Sequence, residues 1–175
     1  MKKVIFDTDI GIDDAMALLF LHHAPDVDLI AITTGFGNAS VSDTTRNALY
    51  MKELFNMSAA VYAGAAMPVG SALGEGYADF VHGKNGLGDI PLTTPMCEAE
   101  ATPAAEAIVE LVRANPHELS IVAVGRMTNL AMALALDPEL PSLIKELIVM
   151  GGVFGYNGHR GNVSPVAEAN IAGDP

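Results

Sequence analysis

The sequence predicts an α/β protein of three layers, in which a mostly parallel β-sheet lies between two layers of helices. Short apolar runs rich in Val and Ile alternate along the chain with longer Ala- and Leu-rich segments of helical period. Of the 175 residues, 50% are hydrophobic and only 6% are aromatic, which is typical of buried parallel strands covered by helices. We expect one domain over residues 1–175, because this length can bury a sizeable core and no linker or repeat interrupts the pattern.

The first half of the chain begins with an apolar run at residues 3–7, which is long enough for a strand and too short for a helix. Residues 13–23 are predicted as a helix, because the N-terminal dipole of a helix favours the two aspartates that open it. A second strand, Leu29–Thr34, ends at Gly35. Residues 40–55 start with Ser and repeat apolar residues about every 3.6 positions, which predicts a second helix.

The second half continues the same alternation after a long interruption. Residues 64–102 are rich in glycine and are predicted as a loop, and loops of that length in compact domains are usually functional. The next helix covers residues 102–114, with Pro103 at its first helical position. The remaining predicted elements are the strands Ala60–Ala63, Leu119–Val124 and Leu147–Met150 and the helix Thr128–Leu136.

Four aspartates, Asp7, Asp9, Asp13 and Asp14, follow the first predicted strand within eight residues. Carboxylates this close repel one another unless positive charge lies between them. A hard divalent cation would supply that charge, since Ca²⁺ and Mg²⁺ both prefer oxygen ligands. The alternative is a helix N-cap at Asp13 beside solvated surface acids, which accounts for one aspartate and leaves the others unexplained.

Further glycine and polar residues follow the later predicted strands. They are Gly37 and Asn38, residues 125–129, and Gly151 and Gly152. Because the carboxyl ends of parallel strands meet at one edge of a sheet, we expect a ligand site at that edge.

The net charge of the chain restricts the classes of ligand that it is expected to bind. The net charge is −12, from 21 acidic and 9 basic residues. Such a surface repels phosphate backbones and anionic lipids, so we expect no nucleic-acid polymer and no membrane as partner. A small neutral or cationic ligand, or a metal ion, suits this charge.

The cysteine content and the N-terminus indicate a cytoplasmic protein. Cys97 is the only cysteine, so no disulfide within the chain is possible. Lys2 and Lys3 resemble the start of a signal peptide, but the aspartates from Asp7 onward interrupt any apolar region behind them. No stretch reaches the roughly 18 apolar residues that a membrane span needs.

The aspartate motif resembles the signature of the inosine-uridine preferring nucleoside hydrolase family, and the resemblance extends over essentially the whole chain. Its first block is Asp7-x-Asp9-x-Gly11-x-Asp13-Asp14. The later blocks, in order, are Ile32–Asn38, Thr45–Ala48, Tyr62–Gly64, His82–Gly88, Thr128–Ala131, Val149–Gly152 and Ala167–Asn170. One such block is a weak signal, whereas this many in register are specific.

The resemblance implies a Rossmann-like fold and hydrolysis of the N-glycosidic bond of a ribonucleoside, giving ribose and a free base. It implies a Ca²⁺ cofactor that lowers the pKa of a bound water and anchors ribose hydroxyls. Asp9 and Asp14, with the backbone carbonyl of Thr128, would hold this metal. Asp9 would also take the proton from the attacking water, and Asp7 would support the site from behind.

By the same resemblance, the substrate meets a second group of residues. Asp13, Asn38, Asn162, Glu168 and Asn170 would hydrogen-bond the ribose hydroxyls, Met150 would line the sugar pocket, and His82 would act near the base.

Each of these side chains also has an ordinary structural interpretation. His82 fits a solvated loop histidine, Asn38 a turn residue with positive φ, Met150 a core residue and Thr128 a helix N-cap. Glu168 and Asn170 fit the polar face of an extended surface segment.

Family members are longer than this chain, and the resemblance places a further metal-binding aspartate and a base-protonating histidine in the part that is missing here. We therefore expect a truncated fold with impaired activity, in which Asp174 and Pro175 open a helix that does not follow. We also expect a homo-oligomer, formed through apolar surface around Leu147–Met150. Two alternatives remain: a degenerate member that only binds metal or ribose, and a phosphohydrolase of the haloacid dehalogenase type.

Overall fold

A computed structural model describes residues 1–70, 76–152 and 168–174. Its centre is a five-stranded sheet in which every neighbouring pair is parallel, in the order β3-β2-β1-β4-β5. The predicted mostly parallel α/β architecture is therefore confirmed. The strands are β1 (Lys2–Thr8), β2 (Val27–Thr34), β3 (Ala60–Ala63), β4 (Leu119–Ala123) and β5 (Glu146–Val149).

Helices cover both faces of this sheet. They are α1 (Ile12–His23), α2 (Val41–Leu54), α3 (Asp79–His82), α4 (Ala104–Ala114), α5 (Thr128–Leu136), α6 (Leu140–Leu143) and α7 (Ala169–Gly173). Within the described ranges, no helix combines the length and the apolar character needed to cross a bilayer.

Neighbouring residues of β1 build two separate cores, because successive side chains of a strand point to opposite faces. Phe6 is fully buried in a cluster with Ile32 of β2 and Leu18 of α1. Ile5 is fully buried in the other cluster, with Ile121 of β4 and Ile108 of α4. The sheet is thus sandwiched between α1 and α2 on one side and α4, α5 and α6 on the other.

The order of the strands positions the site. The chain moves outward from β1 through β2 to β3 and then returns to place β4 on the other side of β1. Asp7 of β1 is in register with Thr33 of β2 and with Ala123 of β4, so the carboxyl ends of three strands meet. This reversal of strand order beside β1 is where open α/β sheets bind ligands.

Three short helices differ from the sequence-based expectation. The predicted loop at 64–102 contains α3, and α6 follows α5 directly. Helices α3 and α6 are each a single turn of four residues, too short to produce a helical period in the sequence. The interpretation of Asn170 as part of an extended segment is wrong, because residues 169–173 form α7, whereas Glu168 has extended backbone and caps that helix.

Asp174 lies at the end of the described chain, where it is the residue that ends α7. Its role as the N-cap of a further helix stays a prediction. Pro175, the other half of that prediction, lies outside the described residues.

Candidate functional site

Three of the four clustered aspartates are buried at the carboxyl end of β1 and the start of α1. Asp7, Asp9 and Asp14 are 1%, 3% and 4% exposed, whereas the side chain of Asp13 is 63% exposed. The residue that caps α1 is Gly11, so the interpretation of Asp13 as an N-cap is wrong. Solvated surface acids therefore account for Asp13 alone.

Asn38, in the loop after β2, joins two of these carboxylates. Its backbone N–H donates to Asp9 Oδ2 at 2.8 Å. Its side-chain Nδ2 donates to Asp9 Oδ1 at 3.3 Å and to Asp14 Oδ2 at 2.8 Å. The backbone of Asn38 is not in the left-handed region, so its interpretation as a positive-φ turn residue is wrong.

Burial makes negative charge unfavourable at all three positions. It raises the pKa of Asp9 well above its ordinary value, and repulsion from Asp14 raises this pKa further. Burial also raises the pKa of Asp14, and it raises the pKa of Asp7 to about 6 against the opposing effect of hydrogen bonds from Thr33 and Asn129. The cluster therefore favours a bound proton or cation.

Asp7 belongs to a buried network centred on Asn129. Asp7 Oδ1 accepts from Thr33 Oγ1 at 2.6 Å and from Asn129 Nδ2 at 2.9 Å. Asn129 also donates to the Thr34 carbonyl at 3.1 Å and accepts from the Ala65 N–H at 2.9 Å. One amide side chain of α5 thus links β1, β2 and the segment that follows β3.

His82, the last residue of α3, packs on the start of α1. It is only 6% exposed, so the interpretation as a solvated loop histidine is wrong. Its Nδ1 accepts from the Ile12 N–H at 3.2 Å, one of the donors that the first turn of a helix leaves free, and lies 3.9 Å from Asp13 Oδ1. This hydrogen bond assigns the proton of the neutral ring to Nε2.

Two glycines permit this packing. A Cβ on Gly11 would come within 2.5 Å of Asn38 Nδ2 and 2.8 Å of His82 Nδ1. Gly86 has φ +82°, and a Cβ there would approach Asn47 Nδ2 to 2.8 Å. Asn47 is fully buried and donates to the Asn85 carbonyl at 2.8 Å and to the Ile10 carbonyl at 3.3 Å, so it fastens the glycine-rich segment to the end of β1.

A cavity of about 410 Å³ opens over the cluster. Three of the predicted site residues line it, namely Asp9, Asn38 and Asn170. Arg126 and the aromatic residues Tyr77 and Phe80 complete its polar and aromatic lining.

Short helix α7 lies at the ends of β4 and β5. Asn170 Nδ2 donates to the Val124 carbonyl at 2.8 Å and to the Met150 carbonyl at 2.9 Å. The two carboxylate oxygens of Glu168 accept from the N–H groups of Asn170 and Ile171, so this side chain caps α7. The Asn170 Oδ1 atom takes part in none of these four hydrogen bonds.

The structure contradicts the ordinary structural interpretation of two further predicted residues, Thr128 and Met150. Thr128 is the first residue of α5 and Met127 is the N-cap, so the N-cap interpretation of Thr128 is wrong. Thr128 Oγ1 instead donates to Asp174 Oδ2 at 2.6 Å. Met150 is 48% exposed and is not a core residue. Asn162 lies outside the described residues.

Arg126, Tyr77 and Phe80 were not singled out from the sequence. The Arg126 guanidinium carbon lies 4.6 Å from the centroid of the Phe36 ring, and burial lowers the pKa of this arginine. The sequence feature that could have identified Arg126 was its position directly after Gly125, shortly after the end of β4. The two aromatics stood within the glycine-rich segment 64–102, whose sequence contains no other Phe, Tyr or Trp.

Known proteins resemble this chain over nearly its whole length. Residues 4–175 match the family model described as inosine-uridine preferring nucleoside hydrolase. Uridine nucleosidase 1 of Arabidopsis thaliana is 43% identical over 175 residues, which cover 99% of this chain and 51% of the plant protein.

Two solved structures extend the likeness to three dimensions. A plant nucleoside hydrolase, the PpNRh1 enzyme, has a TM-score of 0.92 and 43% identity, covering 99% of this chain and 54% of its own. A purine-preferring ribonucleoside hydrolase from Gardnerella vaginalis has a TM-score of 0.91 and 34% identity, covering 99% and 55%.

The chain spans about half the length of the curated relatives it matches. Within that span the match is continuous, and both the fold and the predicted resemblance are confirmed. The chain belongs to the inosine-uridine preferring nucleoside hydrolase family.

Proposed function

We propose that this chain hydrolyses the N-glycosidic bond of ribonucleosides, releasing ribose and a free base. The observation that carries the proposal is the pair of buried carboxylates, Asp9 and Asp14, beneath a cavity that Asp9 itself lines. The names of the matched relatives, a uridine nucleosidase and a purine-preferring ribonucleoside hydrolase, support the reaction class.

Cleavage of this bond develops positive charge on the ribose ring, so the reaction needs nearby negative charge and an activated water. Asp9 meets both needs from one position. Its carboxylate lines the cavity, and hydrogen bonds from Asn38 fix its position, so it can be held within reach of a water bound there. We assign Asp9 as the general base for the water.

A cation is the second part of the proposal. Asp9 and Asp14 are two buried carboxylates joined through the amide of Asn38, and the raised pKa of each indicates that their negative charge is undercompensated. This donor set fits a hard cation in charge and chemistry. Within the described ranges no group of three or more His, Cys, Asp or Glu side chains could hold such an ion, so Asp9 and Asp14 are its proposed charged ligands in this part of the fold.

We therefore propose Ca²⁺ held by Asp9, Asp14 and the backbone carbonyl of Thr128. When bound, it would lower the pKa of a water molecule and attract ribose hydroxyls. Thr128 is buried at the start of α5, and its side chain is fixed by Asp174, so its main chain has a defined position.

The remaining site residues are proposed to hold the nucleoside. Asn38 and Asn170 line the cavity and carry amide groups that suit ribose hydroxyls. Asp13, Asn162 and Glu168 are proposed for the same hydroxyls, and Met150 for one wall of the sugar pocket. His82 is proposed to act on the base side, donating from Nε2–H, because its hydrogen bond from the Ile12 N–H uses Nδ1.

The proposal is tested by measuring release of ribose from inosine and from uridine, with and without added Ca²⁺. We expect Asp9→Asn to lower turnover by about 100- to 10,000-fold, the usual contribution of a general base. Asp28→Asn is the matched control, since Asp28 lies near the opposite end of the sheet, in register with Lys3. Equal turnover in wild type and Asp9→Asn would contradict the assignment.

The same assay separates the alternatives. Metal or ribose binding without ribose release would identify a degenerate member of the family that only binds. Hydrolysis of a generic phosphate ester in place of nucleosides would identify a phosphohydrolase. We also propose a cytoplasmic location, supported by the single cysteine, and a homo-oligomeric state.

A further inference from the structure

Asn47 lies in α2, within the block Thr45–Ala48, and none of the metal or ribose contacts proposed above involves this block. Its side chain is fully buried, which is uncommon for an amide. A buried amide whose hydrogen bonds are satisfied makes the structure around it rigid. The partners of Asn47 therefore show which parts of the fold it holds in place.

The Asn47 amide joins two segments that are far apart in the sequence. Its Nδ2 donates to the Ile10 carbonyl at 3.3 Å and to the Asn85 carbonyl at 2.8 Å. Its Oδ1 accepts from Arg46 Nη2 at 3.0 Å, and the same nitrogen donates to the Asn85 carbonyl at 3.1 Å. Because Ile10 directly follows Asp9, Asn47 sets the distance between the carboxylates after β1 and the segment around Asn85.

This segment is a closed loop, here called the 82–90 loop after its residues. Asn85 Oδ1 accepts from the Asp89 N–H at 3.0 Å, which holds the second half of the loop to its middle. The Gly88 N–H donates to the His82 carbonyl at 2.7 Å, which joins the second half to the first residue. Since these hydrogen bonds close the loop on itself, Asn85 and His82 hold fixed positions relative to each other.

The ring of His82 attaches the 82–90 loop to the same part of the chain. Its Nδ1 accepts from the Ile12 N–H at 3.2 Å. The loop is therefore fastened to the residues after Asp9 at two points, through the ring of His82 and through the amide of Asn47. One hydrogen bond to a ring nitrogen lets the ring pivot, so the second attachment fixes the direction in which Nε2–H points.

We propose that Asn47 is a positioning residue for the base side of the site, where it holds the 82–90 loop so that His82 Nε2–H meets the leaving base. The inference rests on the proposed function, in which His82 acts on the base. Asn47 itself is fully buried, so it acts through the loop and not by touching substrate. A displacement of about 1 Å at a reacting group can cost about 100-fold in rate, so a remote amide can control turnover in this way.

The leaving base is the part of the substrate on which this positioning acts. Cleavage of the N-glycosidic bond leaves its electron pair on the base nitrogen, which finally carries a proton that the consumed water supplies. A hydrogen bond from His82 Nε2–H stabilises the negative charge on the base while the bond breaks. A p-nitrophenyl group leaves as a stable anion without such help. Hydrolysis of p-nitrophenyl riboside therefore measures the ribose side of the reaction without the contribution of His82.

The test compares hydrolysis of inosine, uridine and p-nitrophenyl riboside by Asn47→Ala, His82→Ala and the double variant. We expect each single variant to lower kcat for the nucleosides by about 100-fold, with KM little changed. The double variant should lose no more than His82→Ala alone, because both residues act on one contact. Hydrolysis of p-nitrophenyl riboside should stay near the wild-type rate in all three variants.

Two further variants control for a loss of stability. Asn115→Ala is the matched control, because its amide bonds Lys3 and the Leu111 carbonyl at the opposite end of the sheet; it should leave turnover of every substrate unchanged. Gly86→Ala disturbs the proposed contact from the loop side, since a Cβ there would lie 2.8 Å from Asn47 Nδ2 at a φ of +82°. It replaces no core side chain and should reproduce the substrate pattern of Asn47→Ala. Circular dichroism confirms that each variant is folded.

Amide hydrogen exchange tests the positioning without any turnover. The Gly88 N–H should exchange faster in Asn47→Ala than in the wild type or Asn115→Ala, while the amides of β4 keep their protection. If the wild type releases ribose from neither nucleoside, the proposed function fails, and exchange at Gly88 still decides whether Asn47 holds the loop. Unchanged exchange at Gly88 would overturn the proposal. So would an equal loss of turnover on nucleosides and p-nitrophenyl riboside, or additive losses in the double variant.

Discussion

Removing the side chain of Asn129 should destabilise the fold more than any ordinary surface substitution. Asn129 is 2% exposed and makes three hydrogen bonds, donating to Asp7 Oδ1 and the Thr34 carbonyl and accepting from the Ala65 N–H. These partners lie on different elements, β1, β2 and the segment after β3. In Asn129→Ala, the Asp7 carboxylate, the Thr34 carbonyl and the Ala65 N–H each lose their hydrogen bond to this side chain.

The cost can be worked out from these contacts. Three hydrogen bonds contribute about 1 kcal/mol each, and a buried polar group left unsatisfied costs a further 1–3 kcal/mol or so. We expect Asn129→Ala to lower the free energy of unfolding by about 4 kcal/mol, a large part of the roughly 5–15 kcal/mol typical of a domain. At a slope of about 2 kcal/mol per molar urea, the midpoint should fall by about 2 M.

Urea unfolding followed by circular dichroism, in the presence of a chelator, measures this change. Met132→Ala is the control, because Met132 lies on α5 but is 42% exposed and should change the free energy of unfolding by less than about 1 kcal/mol. Thr33→Val removes one donor to Asp7 and should cost an intermediate amount. If Asn129→Ala costs no more than Met132→Ala, the network does not stabilise the fold as argued.

Three further predictions concern the site and the pH dependence of stability. One Ca²⁺ should bind to the wild type with measurable heat and fail to bind to Asp9→Ala, and identical calorimetric titrations would refute the metal assignment. Turnover should depend more on Asp9 than on His82, because His82 is assigned to the base side alone; activity that survives Asp9→Asn but not His82→Ala would reverse these roles. In acid, the Arg113–Asp137 pair should matter: Arg113 Nε lies 2.7 Å from Asp137 Oδ2 and lowers the pKa of Asp137 below its ordinary 3.8. An acid with a lowered folded-state pKa stabilises the fold above its unfolded-state pKa and loses that contribution as the pH falls through the lowered value. Asp137→Asn should therefore remove part of the decline in melting temperature below about pH 4, and parallel declines in both proteins would contradict this assignment.

The strands and long helices could be predicted because burial dictates their composition. The run at β1 and the helical period of α2 depend on apolar spacing, which the sequence displays directly. Helix α3 could not be predicted, because one turn has no period and its position is set by His82 meeting the start of α1. Helix α7 was missed because its cap is the side chain of Glu168, a residue that rarely takes this position.

The candidate site divides in the same way. The position of Asp9 and Asp14 was predictable, since acids directly after a buried strand must lie at the sheet edge. That Asn38 would contact both of them was not predictable, because this depends on how the loop after β2 folds over β1. The presence of Arg126 in the cavity likewise depends on long-range packing, here against Phe36.

The two cores on either side of β1 differ in how far along the chain their members lie from β1. This difference affects the order in which the cores can form during synthesis. The cluster around Phe6 draws almost all its buried members from residues 4–61, whereas the cluster around Ile5 needs residues 105–140. A ribosome delivers the N-terminal part first, at about 5–20 residues per second. The α1 and α2 layer can therefore assemble on β1 and β2 while Ile5 and Ala31 still face water. During those seconds the nascent sheet has one bare apolar face, and we expect chaperone contacts to fall on that face until α4 and β4 emerge.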